Sequence, residues 1–315
     1  MKKLLVFILI VLLTGCSKNN TEDYDLSIVV PSGAPSLAFY NEINNDSFNT
    51  GDAQSILPQL KGENGADIIV IDTVNGIKTI NDGGNYKLAA TITFGNFYIA
   101  STGKDDNGVM ENGDYIVLFS QNATPDLVFH NIYGNNYDSN VHYVSAVSDA
   151  SACLIKGINI QDDQRSIDEQ PYVDYVMIAE PALSAAMSQN SNARIYANIQ
   201  EEYAIKNDGM SMIQASVFVS NKLNKKQIDN YLNNLENNIN SLLENPELFE
   251  ETTNMLSDVE IKDVFGVPNV KIVKKVLNDN SIGLGFVRAY DNKNAIDKFI
   301  SLFGLNNTDE EIYYK

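Results

Sequence analysis

Apolar residues along this chain follow two rhythms, and the rhythms alternate. Short continuous runs such as LSIVV (26–30), ADIIVID (66–72), YIVLF (115–119) and VDYVMI (173–178) read as strands. ADIIVID is continuous enough to be buried on both faces. Further strands are expected at 141–144, 193–199 and 214–219, and a long strand-like segment at 86–102 is broken near Gly95. Between the runs lie helical patterns: 35–43, the stretch from Asp72-Thr73 through Ile77 and Ile80, and 125–132. Another covers 148–157, with Ser148 as cap and Gly157 as stop. After residue 220 the chain turns helical. Ile228, Leu232, Leu235, Ile239 and Leu242 step by 4, 3, 4 and 3 onto one face, and Asn224 with Gln227 forms a capping-box start. More helix is expected through Phe249 and Met255, at 272–277 and at 295–303.

This alternation predicts the α/β class. A strand, a polar corner and a Pro-led helix occur twice, at PSGAPS (31–36) and SQNATP (120–125), which predicts two similar lobes. Residues 26–100 and 215–315 are expected to form lobe 1, with the helical C-terminus on it, and 101–214 to form lobe 2. The segment 94–101 is the expected crossing and 214–220 the return.

The start of the chain stands apart. Lys2 and Lys3 precede an apolar run at 4–13, and Leu13-Thr14-Gly15-Cys16 follows. The run is far shorter than the roughly 20 residues that span a bilayer, so residues 1–15 read as a secretory signal. Its end resembles the lipobox of bacterial lipoproteins, which implies cleavage before Cys16, acylation of that cysteine with long-chain lipid such as palmitate, and a polar tether over 16–25. The only other cysteine, Cys153, then has no partner for an intramolecular disulfide and reads as a buried small residue. A net charge of −19 argues against nucleic acid and against electrostatic adhesion to anionic lipid.

Ligands of open α/β sheets sit beyond the C-terminal strand ends. That rule selects Ser32, Gly33, Ala34, Pro35 and Ser36, where a helix start offers free N–H groups; a tight turn is the competing reading. Asp72 and Thr73 follow the second strand, and Asp72 either meets a ligand amine or caps its helix. Gln121, Asn122 and Thr124 occupy the matching corner of lobe 2, and Glu180 follows VDYVMIA, where it binds ligand or braces the hinge. Phe94, Asn96 and Tyr98 lie on the crossing, either lining the cleft or packed in the core. The motifs G-x-S-x-G, H-E-x-x-H and G-x-x-x-x-G-K-[ST] are absent. His130 and His142 are isolated and do not make a metal site. GLGFVR (283–288) reads as a lone Gly-x-Gly without the strand that a dinucleotide site requires. No catalytic residue, metal or cofactor is expected.

GAPSLAF (33–39), GADIIV (65–70), SDASACLIKG (148–157), VDYVMIAEPALSAA (173–186), the helix at 228–247 and DEEIYYK (309–315) together resemble the substrate-binding lipoproteins of ABC importers. Within that class the chain is similar to the nitrate/sulfonate/taurine and thiamine-pyrimidine-precursor binding proteins. The resemblance implies a type II periplasmic-binding fold: two doubly wound lobes that close on a ligand through a two-crossing hinge. It also implies a small-molecule solute, a cognate permease and ATPase, a monomer, and a place on the outer face of the cell membrane. The family's intracellular enzymes use a Cys-rich iron site, which Cys153 alone cannot supply, so no enzyme activity is expected. Asp72, Glu180 and the aromatic crossing lean toward an aromatic or amine-bearing solute such as a pyrimidine. The alternatives are a small anion (sulfonate, taurine, nitrate) or a surface lipoprotein acting as adhesin or sensor input. A polar insertion at 159–171 departs from the family pattern.

Overall fold

The computed structural model describes residues 25–103, 108–160, 171–306 and 310–315. The expected signal, Cys16, nearly all of the tether and most of the 159–171 insertion lie outside the described residues.

Two sheets organise the chain. The first contains β1 (Ile28–Pro31), β2 (Phe48–Gly51), β3 (Ile68–Asp72), β4 (Tyr86–Thr93), β10 (Ala215–Ser220) and β11 (Leu284–Arg288), in the order β11-β4-β10-β3-β1-β2. The second contains β5 (Phe97–Ser101), β6 (Ile116–Phe119), β7 (Val141–Val144), β8 (Tyr175–Ala179) and β9 (Arg194–Asn198), in the order β7-β6-β8-β5-β9. In each sheet the second, first and third strands are parallel neighbours. An antiparallel strand then intervenes before the fourth: β10 between β3 and β4, and β5 between β8 and β9. The class is mixed α/β, as the alternating pattern predicted. The chain passes from one sheet to the other through 94–96, where Gly95 takes φ 112°, and returns between β9 and β10.

Helices cover both faces of the first sheet. On one face Val30, Val70 and Val217 pack against α8 (Lys225–Glu244), α10 (Asp258–Phe265) and α11 (Val270–Asn278). On the other, Ile69, Ile71 and Phe218 pack under α3 (Thr73–Asn81). There Gly76 comes so close to the Phe218 ring that no side chain fits. In α8 all five residues of the predicted stripe are buried, each contributing about 1.5–3 kcal/mol of transfer free energy. The Asn224–Gln227 capping box is present in both directions, at 3.0 Å each. Cys153 is a buried free thiol whose pKa burial pushes up, consistent with a packing role.

Two readings need correction. Helix 35–43 is instead α1 (Ala34–Leu37) and a separate 3-10 turn (Tyr40–Glu42), because Phe39 leaves helical geometry at φ −113°, ψ 23°. Ser148 does not cap α5 (Val147–Lys156). The boundary falls at Ala146, whose N–H donates to Asp149 Oδ2 at 3.1 Å. GLGFVR forms an edge strand, β11, paired with β4, and the element before it is the helix α11, so no strand precedes its Gly-x-Gly, as read.

Candidate functional site

Four strand-to-helix corners sit at the C-terminal ends of β1, β3, β6 and β8. The first, Ser32–Ser36, is largely closed on itself. Ala34, Pro35 and Ser36 are buried, and Ser36 Oγ donates back to the Gly33 carbonyl at 2.8 Å. Ser32 is exposed and its Oγ donates to Asp263 O at 3.4 Å. Gly266, which ends α10, lies against this corner, since a Cβ placed there would sit 3.2 Å from Gly33 N. Gly33 adopts φ 107°, ψ −148°, a region essentially reserved for glycine.

Asp72 joins the two sheets' helices. Its Oδ1 accepts Asn75 N–H at 2.9 Å, capping α3, as the cap reading expected. Its Oδ2 accepts the N–H of Thr124 at 3.2 Å, and Thr124 opens α4 (Thr124–Tyr133) of the second sheet's layer. Burial pushes the Asp72 carboxyl above the ordinary range, partly offset by these bonds. Behind it, Thr73 Oγ1 meets Ser216 Oγ at 2.7 Å, and Ser216 Oγ meets Thr91 Oγ1 at 3.1 Å. Thr73 N–H donates to Gln214 O at 2.9 Å, and Gln214 N–H to Thr93 O at 3.0 Å.

The corner after β6 is built differently. Ser120 and Asn122 hold positive φ of 55° and 63°, uncommon for residues with a side chain. Asp126, 6% exposed, accepts Asn122 N–H at 2.7 Å, the Tyr143 hydroxyl at 2.9 Å, and stands 2.9 Å from His130 Nδ1. Gln121 and Asn122 remain exposed.

After β8, the Glu180–Pro181 peptide is cis. The buried Glu180 carboxylate accepts Ser184 N–H at 3.0 Å and Ser184 Oγ–H at 2.9 Å, capping α6 (Ala182–Met187). Its backbone pairs with Asn96 at the crossing: Glu180 N–H donates to Asn96 O at 2.9 Å, and Asn96 Nδ2 donates to Glu180 O at 2.6 Å. Desolvation raises the Glu180 pKa, against the lowering by Ser184. Tyr98 is buried and its hydroxyl pushed up to about 12, first by burial and then by Glu180, Glu201 and Asp279. That hydroxyl is 3.5 Å from Ser281 O of the first sheet's helical layer. Phe94 lies against Gly285 of β11 rather than standing free.

Of the residues selected from sequence, Asp72 is bonded to Thr124 and Asn96 to Glu180, while Thr73 bonds Gln214 and Ser216. Gln121 and Asn122 are not tied into that network by their side chains. Thr93, Gln214 and Ser216 were not selected; only strand pairing, which places Ala215 beside both Asp72 and Thr93, reveals them. The described arginines lie elsewhere, Arg288 near Asp229 and Asn233 of α8 and Arg194 on Asn192 O. A separate cavity of about 280 Å³ opens near the start of β1, between Asn45 and α8 residues including Tyr231. It is remote from the four corners.

No family model matches this chain, and no curated protein matches it. Solved structures do. An ABC transporter protein from Parabacteroides distasonis aligns with a TM-score of 0.70 at 17% identity, over 93% of this chain and 99% of that one. The ligand-binding component of an ABC-type import system from Staphylococcus aureus, solved with zinc bound, aligns at 0.63 and 10% identity, over 92% and 96%. The periplasmic aliphatic sulphonate binding protein of Escherichia coli aligns at 0.61 and 11%, over 88% and 87%. The fold is that of the periplasmic binding proteins. Among the described residues there is no group of His, Cys, Asp and Glu suited to a metal, and no helix long and apolar enough to cross a membrane.

Proposed function

We propose that this protein is an extracytoplasmic solute-binding lipoprotein of an ABC importer. It captures a small organic solute between its two lobes and hands it to a membrane permease powered by an ATPase. The observation that carries this reading is the Asp72–Thr124 hydrogen bond, which joins the C-terminal strand edge of one sheet to the helix start of the other. The lipobox-like Leu13-Thr14-Gly15-Cys16 supports a lipid anchor on Cys16 and a place on the outer face of the cell membrane. The protein works as a monomer and holds its solute without making or breaking a bond. Carboxyl groups at half-buried Asp72 and buried Glu180, with Tyr98 beside the crossing, favour an aromatic or amine-bearing solute.

A thermal-shift screen of the mature chain with aminopyrimidines, thiamine precursors, riboflavin, taurine, alkanesulfonates and nitrate tests this. One class is expected to raise Tm in a concentration-dependent way, because a ligand that binds only the folded state stabilises it by mass action. No shift from any solute would count against the reading.

A further inference from the structure

We infer that the cleft floor recognises its solute through an array of buried oxygen acceptors, with Thr93 and Gln214 as specificity-determining residues, and that the solute is a neutral or cationic compound presenting several N–H or O–H donors. The inference rests on the solute-binding reading above and narrows it.

Among the described residues six buried side-chain oxygens have no hydrogen-bond partner; Tyr133 Oη and Tyr231 Oη lie on helices, and the other four, Thr93 Oγ1, Asn96 Oδ1, Thr124 Oγ1 and Gln214 Oε1, lie at the crossings and the corner after β6, with the Thr124 hydroxyl beside the Asp72 carboxylate. Thr93, Asn96 and Thr124 are each at most 1% exposed. Buried polar groups are normally paired, and each exception calls for an explanation. These four are not scattered. Gln214 N–H bonds Thr93 O, Thr73 N–H bonds Gln214 O, and Asp72 accepts Thr124 N–H, so three of them are strung along one hydrogen-bonded chain of backbone and carboxylate. Asn96 stands three residues beyond Thr93 on the crossing, its amide nitrogen already spent on Glu180 O. Thr91 and Ser216, two residues away from Thr93 and Gln214, have their hydroxyls paired, Ser216 with Thr73 and Thr91 with Ser216. On β4 and β10, then, polarity alone does not leave an oxygen orphaned; position at the strand ends does.

The chemistry of the set is one-sided. Two members are amide carbonyls, which only accept; the Thr93 hydroxyl accepts or donates, and the Thr124 hydroxyl, whose hydrogen faces the Asp72 carboxylate, is left to accept. The adjoining charges are the carboxylates of Asp72 and Glu180. Lys275, which reaches Ser184 at 3.4 Å, is already paired with Asp279 at 3.1 Å. A sulfonate or phosphonate brings only acceptors and negative charge, and would face like groups. A solute with amine, amide or ring N–H donors would complete every orphan. A site that hydrogen-bonds a substrate N–H rejects an analogue lacking it far more strongly than a pocket rejects a missing methylene.

The test compares wild type with Thr93→Val and Gln214→Leu, near-isosteres that remove the orphaned oxygens, using cytosine, adenine and 4-aminopyrimidine as donor probes and ethanesulfonate and taurine as anionic ones. Expected is a thermal shift with at least one donor probe and none with the sulfonates. Each variant should keep or exceed the wild-type ligand-free Tm, since an unpaired buried oxygen is removed, while its affinity for the donor probe falls at least tenfold. A merely structural role would lower the ligand-free Tm and leave affinity intact, which would overturn the inference. Stabilisation by a sulfonate, unchanged in both variants, would overturn it while leaving the solute-binding reading standing. Silence from every probe in all three proteins would overturn both.

Discussion

The corners at Ser32–Ser36 and Ser120–Thr124 look alike in sequence, each a strand followed by small polar residues and a proline, yet the protein builds them in different ways. The first folds into a four-residue helix whose side chains are buried and whose hydroxyl, Ser36 Oγ, is spent on its own turn. The second opens a ten-residue helix and is held from beneath by one carboxylate, Asp126. Its first helical N–H is given to Asp72 at the end of β3 in the first sheet. Motif similarity thus predicts where a corner lies, but the residues four positions further on decide whether it seals or reaches out.

That contrast is sharpest at Asp126. Replacing it with Ala strands Asn122 N–H and the Tyr143 hydroxyl, both of which it accepts, in a site where it is 6% exposed. A loss of about 3–5 kcal/mol is expected, the scale for removing one member of a buried charged network, read as a fall in the urea midpoint. A smaller effect belongs to the first corner. Gly33→Ala meets no atom within 4 Å, so its expected cost of about 1–3 kcal/mol comes wholly from backbone conformation. Ser36→Ala should lose about 1 kcal/mol, one buried hydrogen bond. If both first-corner changes exceeded Asp126→Ala, the comparison would be reversed.

Asp72 tests the link between the corners through pH. Its folded pKa is raised by burial, so the folded state holds that proton more tightly than the unfolded chain does. Its contribution favours folding below the ordinary carboxylate range and is lost as pH rises through the raised value. Asp72→Asn removes the charge but keeps a single oxygen, so it accepts from only one of the Asn75 and Thr124 N–H groups, which Asp72 serves with separate oxygens. The variant should therefore lose this falling limb in urea titrations run across pH, at a stability lowered by the one N–H left without an acceptor. A parallel profile at uniformly lower stability would contradict the assignment. The smallest effect is expected at Lys275→Met, below about 0.5 kcal/mol, because the 3.1 Å pair with Asp279 is more than half exposed and screened.

Much of this was legible beforehand where local rules and tertiary structure agree. The α8 stripe and its Asn224–Gln227 box are set by neighbours three and four residues away, and both appear as predicted. So does Asp72 as a cap, a bond between residues three apart. The signal fails where partners are remote or the pattern is weak. β2 is FNTG, a polar edge strand with no apolar run, and it was not anticipated. α7 (Ile199–Lys206) shows little amphipathic bias, so periodicity could not find it. At α5, Asp149 satisfies the Ala146 N–H from within the first turn, a cap that Ser148 concealed. Thr93 and Gln214 are 121 positions apart and become neighbours only through the β4–β10 pairing.

The central claim is that one solute is held by both lobes at once, and hydrogen exchange read by mass spectrometry tests it most directly. With the solute that gives the largest thermal shift, the account predicts slowed exchange at residues 72–75, 93–97 and 214–216 together with 120–126. Slowing confined to one lobe's corners, or to the cavity beside Asn45 and Tyr231, would contradict it.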